Sequence, residues 1–438
     1  MDKLKQILIW GTVVLVGVAS FVTLAISRGE QVSAIWMVTA AISVYAVAYR
    51  YYSLYIAKNV MQLDPNRLTP AERHNDGLDY VPTHKGVLFG HHFAAIAGAG
   101  PLVGPVLAAQ MGYLPGTLWI IFGVVFAGAV QDMMVLFVSM RRDGKSLGDI
   151  VKQELGTVAG VIASIGILMI MVIIMAVLAL IVVKALVHSP WGTFTIAATM
   201  PIALFMGIYT RYIRPGKIGE ISIVGFILLM LAIVFGEDVA HSSFGHWFDL
   251  DGIQLTWAIM IYGFVAAVLP VWLLLTPRDY LSTFLKIGTI IALALGIVIV
   301  NPTLQMPAIT HFIDGSGPVF SGALFPFLFI TIACGAVSGF HALISSGTTP
   351  KMLENETHVR MIGYGGMIME SFVAIMALAA AASLDPGVYF AMNSPPALIG
   401  TDAANAAQVI TTKLNFPVEA ETLLHLSLIH ISEPTRPY

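Results

Sequence analysis

GHHFAAIAGAGPLVGP, residues 90–105, begins with two adjacent histidines and continues as an apolar run that is repeatedly interrupted by glycine and proline. Both residue types leave backbone N–H and C=O groups without helical partners. In hydrocarbon each such group costs several kcal/mol, so an interrupted segment is stable only against protein or a water-filled cavity. The stretch therefore predicts irregular backbone inside a helical membrane protein, provided that the rest of the chain lies in lipid.

The composition predicts that most of the chain lies in lipid. The 438-residue chain is 57% hydrophobic and 11% charged, with a mean hydropathy of +0.84. Soluble proteins have about 25% charged residues, so the lipid bilayer is the expected surroundings of a polytopic membrane protein. A net charge of −3, without basic runs that contain aromatic residues, argues against nucleic acid as a partner. The single cysteine, Cys334, excludes a disulfide framework and a cysteine-based zinc site.

Eleven apolar segments are long enough to cross a bilayer, which takes about 20 helical residues. The first follows MDKLK and is too long for a cleaved signal peptide, so we expect it to remain as a helix. The predicted fold class is an all-α, polytopic transmembrane helical bundle. The predicted spans are 7–27, 33–57, 88–111, 115–140, 158–187, 194–212, 218–235, 254–276, 284–301, 322–346 and 361–383.

Lysine and arginine are concentrated on one side of this predicted bundle. The opposite connections hold little more than Arg28 and Lys184, and the connection 236–252 is acidic. Because cytoplasmic loops carry the excess of basic residues, we expect a cytoplasmic N-terminus. The basic residues assigned to the cytoplasmic side are Lys3, Lys5, Arg50, Lys58, Arg67, Arg73, Lys85, Arg141, Arg142, Lys145, Lys152, Arg211, Arg214, Lys217, Arg278, Lys286, Lys351 and Arg360.

Three spans carry helix breakers: the third, the eighth, with Pro270 in mid-span, and the tenth, ITIACGAVSGFHALISSGTTP. The third and eighth lie five spans apart and run in opposite directions, which is typical of an inverted five-helix repeat around a midplane binding site. In such a site the half-helix N–H groups face an anionic substrate and the free carbonyls hold a cation. The alternative is that small residues only permit close helix packing. No tandem repeat of residues is apparent.

The predicted substrate-binding residues lie in these breaks and in the hydroxyl cluster that ends the tenth span. For the hydroxyl groups the alternative is helix capping, which serine and threonine perform routinely. The candidates are Gly98, Ala99, Gly100, Pro101, Pro270, Ser345, Ser346 and Thr348.

Ionisable residues within spans are costly and are therefore functional candidates, here for proton coupling. A histidine titrates near neutral pH, which suits a proton carrier. Adjacent histidines on a helix point about 100° apart and do not ligate one metal together, so no metal site is expected. The alternative for each residue is a protonated or hydrogen-bonded structural role. The candidates are His91, His92, Asp132, His341 and Glu370.

The final segment, LSLIHISEPTRPY at 426–438, is unrelated to the sequence before it. Residues 426–436 are similar to the translation of a transposase adaptor used in DNA sequencing libraries. We expect this segment to be an assembly artefact and the natural chain to continue differently.

The chain resembles the carbon-starvation protein A (CstA) family of bacterial inner-membrane transporters along residues 5–425. The resemblance rests on long stretches: RHNDGLDYVPT, VLFGHHFAAIAGAGPLVGPVLAAQMGYLPG, AGAVQD, RRDGKSLG, PRDYLSTFLKIG, FPFLFITIACGAVSGFHALISSGTTPK, IGYGGMIMESFVAIMAL and DPGVYFAMNSPPA. It implies proton-coupled uptake of pyruvate or small peptides during carbon starvation, and a LeuT-like inverted repeat. Family members are longer, which implies that the second repeat is incomplete here.

These inferences divide the chain into two N-terminal helices (1–57), a cytoplasmic connection (58–87), a first five-helix repeat (88–235), four helices of a second repeat (254–383), a non-cytoplasmic segment (384–425) and the tail 426–438. No phosphate-binding GxxxxGK[ST] loop is present, so the expected energy source is the proton gradient, with sodium left open and no cofactor. The alternative function is a nutrient sensor with a transporter-like pocket. An enzyme is not expected, because neither GxSG-type serine nor HExxH motifs occur.

Overall fold

The computed structural model describes residues 32–400 and 402–424, and this part of the chain forms helices and only two isolated β-bridges. The predicted all-α class is therefore confirmed for the described residues. The predicted span 7–27 and the segment 426–438 lie outside them. In chain order the main helices are α1 (Ala34–Val60), α2 (Lys85–Ile96), α3 (Gly100–Met111), α4 (Tyr113–Arg141), α5 (Leu147–Leu155), α6 (Thr157–Leu186), α7 (Pro190–Ile213), α8 (Ile218–His241), α9 (Gly252–Val268), α10 (Leu275–Val300), α11 (Gly339–Ser345), α12 (Glu356–Ser383), α13 (Pro386–Asn393) and α14 (Ala403–Lys413).

Among the described residues, seven of these helices are long and apolar enough to cross a membrane, and the bent pair α2 and α3 makes up to eight. They coincide with eight of the predicted spans, and the chain is a multi-pass membrane protein. The seven single helices are α1, α4, α6, α7, α8, α10 and α12.

The third span is broken, as predicted, but the unwound residues are Ala97–Ala99, and Gly100 and Pro101 already belong to α3. The axes of α2 and α3 differ by 44°. Proline at the second position of α3 suits a helix start, because the first N–H groups of a helix have no intrahelical partner. The predicted turn from Gly98 to Pro101 is thus shifted toward the N-terminus.

The eighth span differs from the prediction. Helix α9 has 17 residues and ends at Val268, so Pro270 lies in the connection to α10 and not in mid-span. Proline cannot donate the backbone hydrogen bond that would continue a helix. In this connection Val271 N–H donates to the Leu78 carbonyl and Trp272 Nε1–H to the Gly77 carbonyl, which joins it to the predicted cytoplasmic segment 58–87.

The tenth span is more interrupted than predicted. Short helical turns at Leu324–Leu328, Phe329–Thr331 and Ala333–Ala336 precede two extended residues, Val337 and Ser338, and then α11 begins. This broken segment packs against the broken third span: Ala333–Ala336 contacts α3, and α11 contacts α2. The expected pairing of the third span with the eighth is not found, because α9 instead contacts the peripheral helix α6.

Helix α12 occupies the centre of the bundle and contacts α1, α2, α3 and α4. Its sequence, GGMIMESFVAIMALAAAAS, is rich in small residues, which allow helix backbones to approach closely in membranes. Helix α6 is the opposite case, because none of its apolar side chains is buried within the described residues, as expected for a helix that faces lipid. Glu370 and Ser371 of α12 are fully buried polar residues.

Candidate functional site

A buried cluster of ionisable side chains joins three separate parts of the chain. His341 of α11 lies between two carboxylates, with Nδ1 3.0 Å from Asp132 Oδ2 of α4 and Nε2 2.9 Å from Glu370 Oε2 of α12. All three side chains are fully buried. Three of the five predicted proton-coupling candidates are therefore in direct contact.

The cluster has spare hydrogen-bonding capacity. Asp132 Oδ1 has no hydrogen-bond partner, and Glu370 Oε2 faces His341 at short distance but outside hydrogen-bond geometry. With both carboxylates ionised and the histidine protonated, the cluster carries one net negative charge, and a buried unpaired charge is strongly unfavourable. Electrical neutrality of the cluster thus requires two bound protons.

Cys334 is the fourth member, and sequence reasoning did not select it. Its thiol donates to Glu370 Oε1 at 3.3 Å, and its Sγ lies 3.9 Å from His341 Nε2. The ligand atoms of Cys334, His341 and Glu370 all lie within 4.8 Å of one another, a set that could hold a transition metal, with Asp132 orienting the histidine. The only sequence signal was a lone cysteine seven residues before a histidine in an interrupted span.

The cluster adjoins the break of the third span. A Cβ placed on Gly100 would lie 2.6 Å from Cys334 Sγ, so the backbone at the start of α3 touches the cluster directly. Gly98, in the unwound residues, is exposed and has no atom within 4 Å of its Cβ position. Ala99 lies between them, and Pro101 is buried. The break therefore presents open space on one side and the ionisable cluster on the other.

Lys286 was assigned from the sequence to a cytoplasmic connection, and this assignment is wrong. The predicted ninth span began at 284, whereas α10 begins at Leu275 and carries Lys286 well inside the helix. Its ammonium group donates to the carbonyl oxygens of Ala94 and Ala97, both at 2.8 Å.

The adjacent histidines contact different partners. His92 Nδ1 is 2.9 Å from Thr349 Oγ1, and His91 Nδ1 is 2.9 Å from Asp279 Oδ2 of α10. Both rings are buried. The two histidines thus have different hydrogen-bonding partners, and neither is paired with Asp132, His341 or Glu370.

The remaining predicted substrate-binding residues, in the hydroxyl cluster and at Pro270, also lie in different surroundings. Ser346 donates to the Ala342 carbonyl within its own helix, which is the capping alternative. Ser345 Oγ is buried without a partner, and Thr348 precedes a 3₁₀ turn at Thr349–Lys351. Pro270 lies at the end of the bundle, against segment 58–87. Of these four residues, only Ser345 has a buried hydroxyl group without a hydrogen-bond partner among the described residues.

Comparison with known proteins identifies the relatives of this chain. A sequence profile described as "Carbon starvation protein CstA" matches residues 33–434. The "Peptide transporter CstA" of Escherichia coli K12 is 66% identical over 429 residues, covering 97% of this chain and 61% of that protein. The "Pyruvate/proton symporter BtsT" of the same organism is 65% identical over 397 residues, covering 90% and 55%. The "Peptide transporter CstA" of Bacillus subtilis is 47% identical, covering 89% and 65%.

No solved structure matches the chain. The chain spans about three fifths of the length of the curated relatives that it matches. Those relatives are named as transporters, and the resemblance seen in the sequence is confirmed. The chain belongs to the carbon starvation protein CstA family.

Proposed function

We propose that the chain acts in a secondary active transporter of the bacterial inner membrane, which imports a small carboxylate such as pyruvate, or small peptides, together with protons when carbon is scarce. The names of two relatives, a peptide transporter and a pyruvate/proton symporter, support both substrate classes. The observation that carries the proposal is the buried Asp132–His341–Glu370 cluster beside a broken membrane span. The N-terminus is cytoplasmic in this proposal, as the distribution of basic residues predicts.

The cluster is the proton-binding site in this proposal. Because the three groups share two protons when neutral, protonation from one side of the membrane and release to the other changes the cluster's charge by one. Such a change is expensive in a dry interior and is relieved if the packing around α11 and α12 changes. Proton binding is thereby coupled to a conformational change. His91 and His92 lie near the predicted cytoplasmic end and are candidates for the path between the cluster and the cytoplasm.

The substrate lies at the break of the third span in this proposal. The N-terminus of α3 is the positive end of its helix dipole, which favours an anionic group. The Leu102 and Val103 N–H groups already donate to the Ala99 carbonyl. Pro101 has no N–H, so the dipole supplies the attraction. Gly98 leaves room beside this end of the helix. A bound carboxylate would then approach both the start of α3 and the ionisable cluster, so substrate charge and proton charge compensate each other.

An inverted repeat also remains a proposal, but its pairing differs from the five-span offset of the LeuT type. The third and tenth spans contact each other, are seven spans apart and therefore run in opposite directions. Gly90, His92, Gly98 and Pro101 recur at identical spacing as Gly339, His341, Gly347 and Pro350. The contact between His92 and Thr349 has as its counterpart the pair His341 and Gly100, between which Cys334 lies. This equivalence supports a two-fold relation centred on the two breaks.

The test is uptake of labelled pyruvate and of a labelled dipeptide by proteoliposomes that contain the protein. We expect uptake driven by an inward proton gradient and abolished by a protonophore. Glu370→Gln, which mimics a permanently protonated carboxyl group, should lose gradient-driven uptake but retain exchange of internal for external substrate. The matched control is Glu237→Gln at the exposed end of α8, which should transport like the wild type.

Uptake that ignores the protonophore, or gradient-driven uptake that survives in Glu370→Gln, would contradict the proposal. The metal content of the purified protein tests the alternative that the cluster binds a transition metal. A stoichiometric transition metal that is lost in both Cys334→Ala and His341→Ala would reassign the cluster as a metal site.

A further inference from the structure

The break of the third span leaves two carbonyl groups without helical partners, for reasons that lie in the sequence. The Ala97 carbonyl would accept from residue 101, which is a proline and has no N–H. The Ala94 carbonyl would accept from Gly98, whose N–H donates instead to Ile96. Both oxygens therefore point out of the C-terminal end of α2.

These two oxygens form the kind of site that holds a cation in a membrane protein. The C-terminal end of a helix carries partial negative charge, and unwound carbonyls within a bundle commonly coordinate sodium or another cation. Here the position is taken by the Lys286 ammonium, at 2.8 Å from each oxygen. Lys286 comes from the middle of α10, which packs along α2 and adds a hydrogen bond from Thr283 Oγ1 to the Gly90 carbonyl at 2.7 Å.

We infer that the break of the third span is a cation site whose permanent occupant is the Lys286 ammonium group, so that free sodium takes no part in transport. The inference rests on the proposed transporter function. It excludes sodium as the coupling ion and leaves the proton. Lys286 is a positioning residue: it supplies the positive charge that fixes the end of α2 relative to α10. A helix cap alone would need only the hydrogen bonds, whereas a cation site needs the charge.

Two substitutions of Lys286 separate the charge from the hydrogen bonds. Lys286→Ala empties the site, and Lys286→Gln keeps amide donors without the charge. We expect uptake in sodium-free medium to fall about tenfold or more in both, because hydrogen bonds from a charged group are the stronger ones. Sodium or ethylamine added to Lys286→Ala should restore a large part of the uptake by refilling the site. Lys184→Ala, an exposed lysine of the lipid-facing helix α6, is the matched control and should resemble the wild type.

Thermal unfolding of the purified protein in detergent gives a second measurement that does not depend on transport. The melting temperature of Lys286→Ala should rise in sodium chloride relative to choline chloride at equal ionic strength, whereas that of the wild type should not. If the wild type takes up neither substrate, the proposed function fails, and this measurement still decides the cation site.

Three results would overturn the inference. The first is wild-type uptake or melting temperature that responds to sodium. The second is uptake by Lys286→Gln at the wild-type rate, which would show that Lys286 acts only as a helix cap. The third is a defect in Lys286→Ala that neither sodium nor ethylamine relieves.

Discussion

His341 illustrates how much depends on single residues in this protein. It contacts carboxylates from two other helices, and no solvent reaches the three groups. Removal of one partner leaves an uncompensated buried charge, which typically costs about 3–5 kcal/mol. Buried ionic clusters contribute little net stability. The position of this cluster beside the break of the third span therefore favours a functional role.

Gly98 provides a residue-scale prediction about the open side of the break. Because no atom lies within 4 Å of its Cβ position, Gly98→Leu should fold normally and fill the space that we assign to the substrate. We expect at least about a tenfold loss of uptake, since a misplaced group of this size blocks binding, with an unchanged melting temperature.

Gly100→Leu is the contrasting variant, because its side chain would collide with Cys334 and should lower the melting temperature as well. Uptake by Gly98→Leu at the wild-type rate would show that the substrate does not bind on this side of the break.

At the scale of elements, contacts to one buried carboxylate fix segment 58–87 to the end of the bundle. Glu356, at the start of α12, is fully buried and pairs with Arg141 at the end of α4 and with Arg67 of the segment, whose Nε lies 3.4 Å from Glu356 Oε2. The Asp64 backbone N–H also donates to Glu356. One carboxylate thus joins α4, α12 and the segment.

Asp76 shapes the next part of the same segment. Backbone N–H groups of Leu78, Asp79 and Tyr80 donate to its carboxylate, and these hydrogen bonds hold the pKa of Asp76 below its usual value. The turn that they stabilise presents the Gly77 and Leu78 carbonyls to the connection between α9 and α10.

Arg141→Met tests the ionic anchor. We expect a loss of about 3 kcal/mol of stability, at the lower end of the range for a broken buried pair because Arg67 remains, seen as a lower melting temperature in detergent. The matched control is Arg142→Met, whose partner Glu154 is exposed, as is Arg142 itself; a surface pair contributes at most about 1 kcal/mol. Equal effects of the two substitutions would show that Glu356 is not an anchor.

At the scale of the whole molecule, hydrogen bonds gather the connections at two opposite ends. At one end, segment 58–87 bonds to the connections at 269–274 and 346–355, and Tyr80 donates to the Asp143 carbonyl. At the other end, Ala34 N–H donates to the Pro302 carbonyl and Tyr113 N–H to the Pro307 carbonyl. Among the described residues, the first end carries Arg67, Arg73, Arg141 and Lys351, which the sequence assigns to the cytoplasm.

Cysteine labelling checks this sidedness. Asn75→Cys, in segment 58–87, should react with a membrane-impermeant maleimide only in inside-out vesicles, and Ser243→Cys, in the acidic connection 236–252, only in right-side-out cells. Both positions are exposed. The wild type is the control, because its cysteine, Cys334, lies inside the bundle and should not be labelled in either. The reverse pattern would place the N-terminus outside.

The sequence by itself determined the membrane location, most of the span boundaries, the broken third and tenth spans, and the family. Each of these depends on local composition, on helix breakers or on long motifs. Asp132, His341 and Glu370 were also predicted individually, because an ionisable residue in an apolar span is costly wherever it points. The matching motif around His92 and His341 was present in the sequence but was missed.

Only the tertiary structure decided which of these residues meet. It placed His341 with two carboxylates and Cys334, moved Pro270 out of the membrane-spanning helices, paired the third span with the tenth, and brought Lys286 to the carbonyls of Ala94 and Ala97. The physical reason is that apolar membrane helices have weak periodicity and similar surfaces. Their partners are selected by close packing at small residues and by the pairing of buried polar groups from distant parts of the chain.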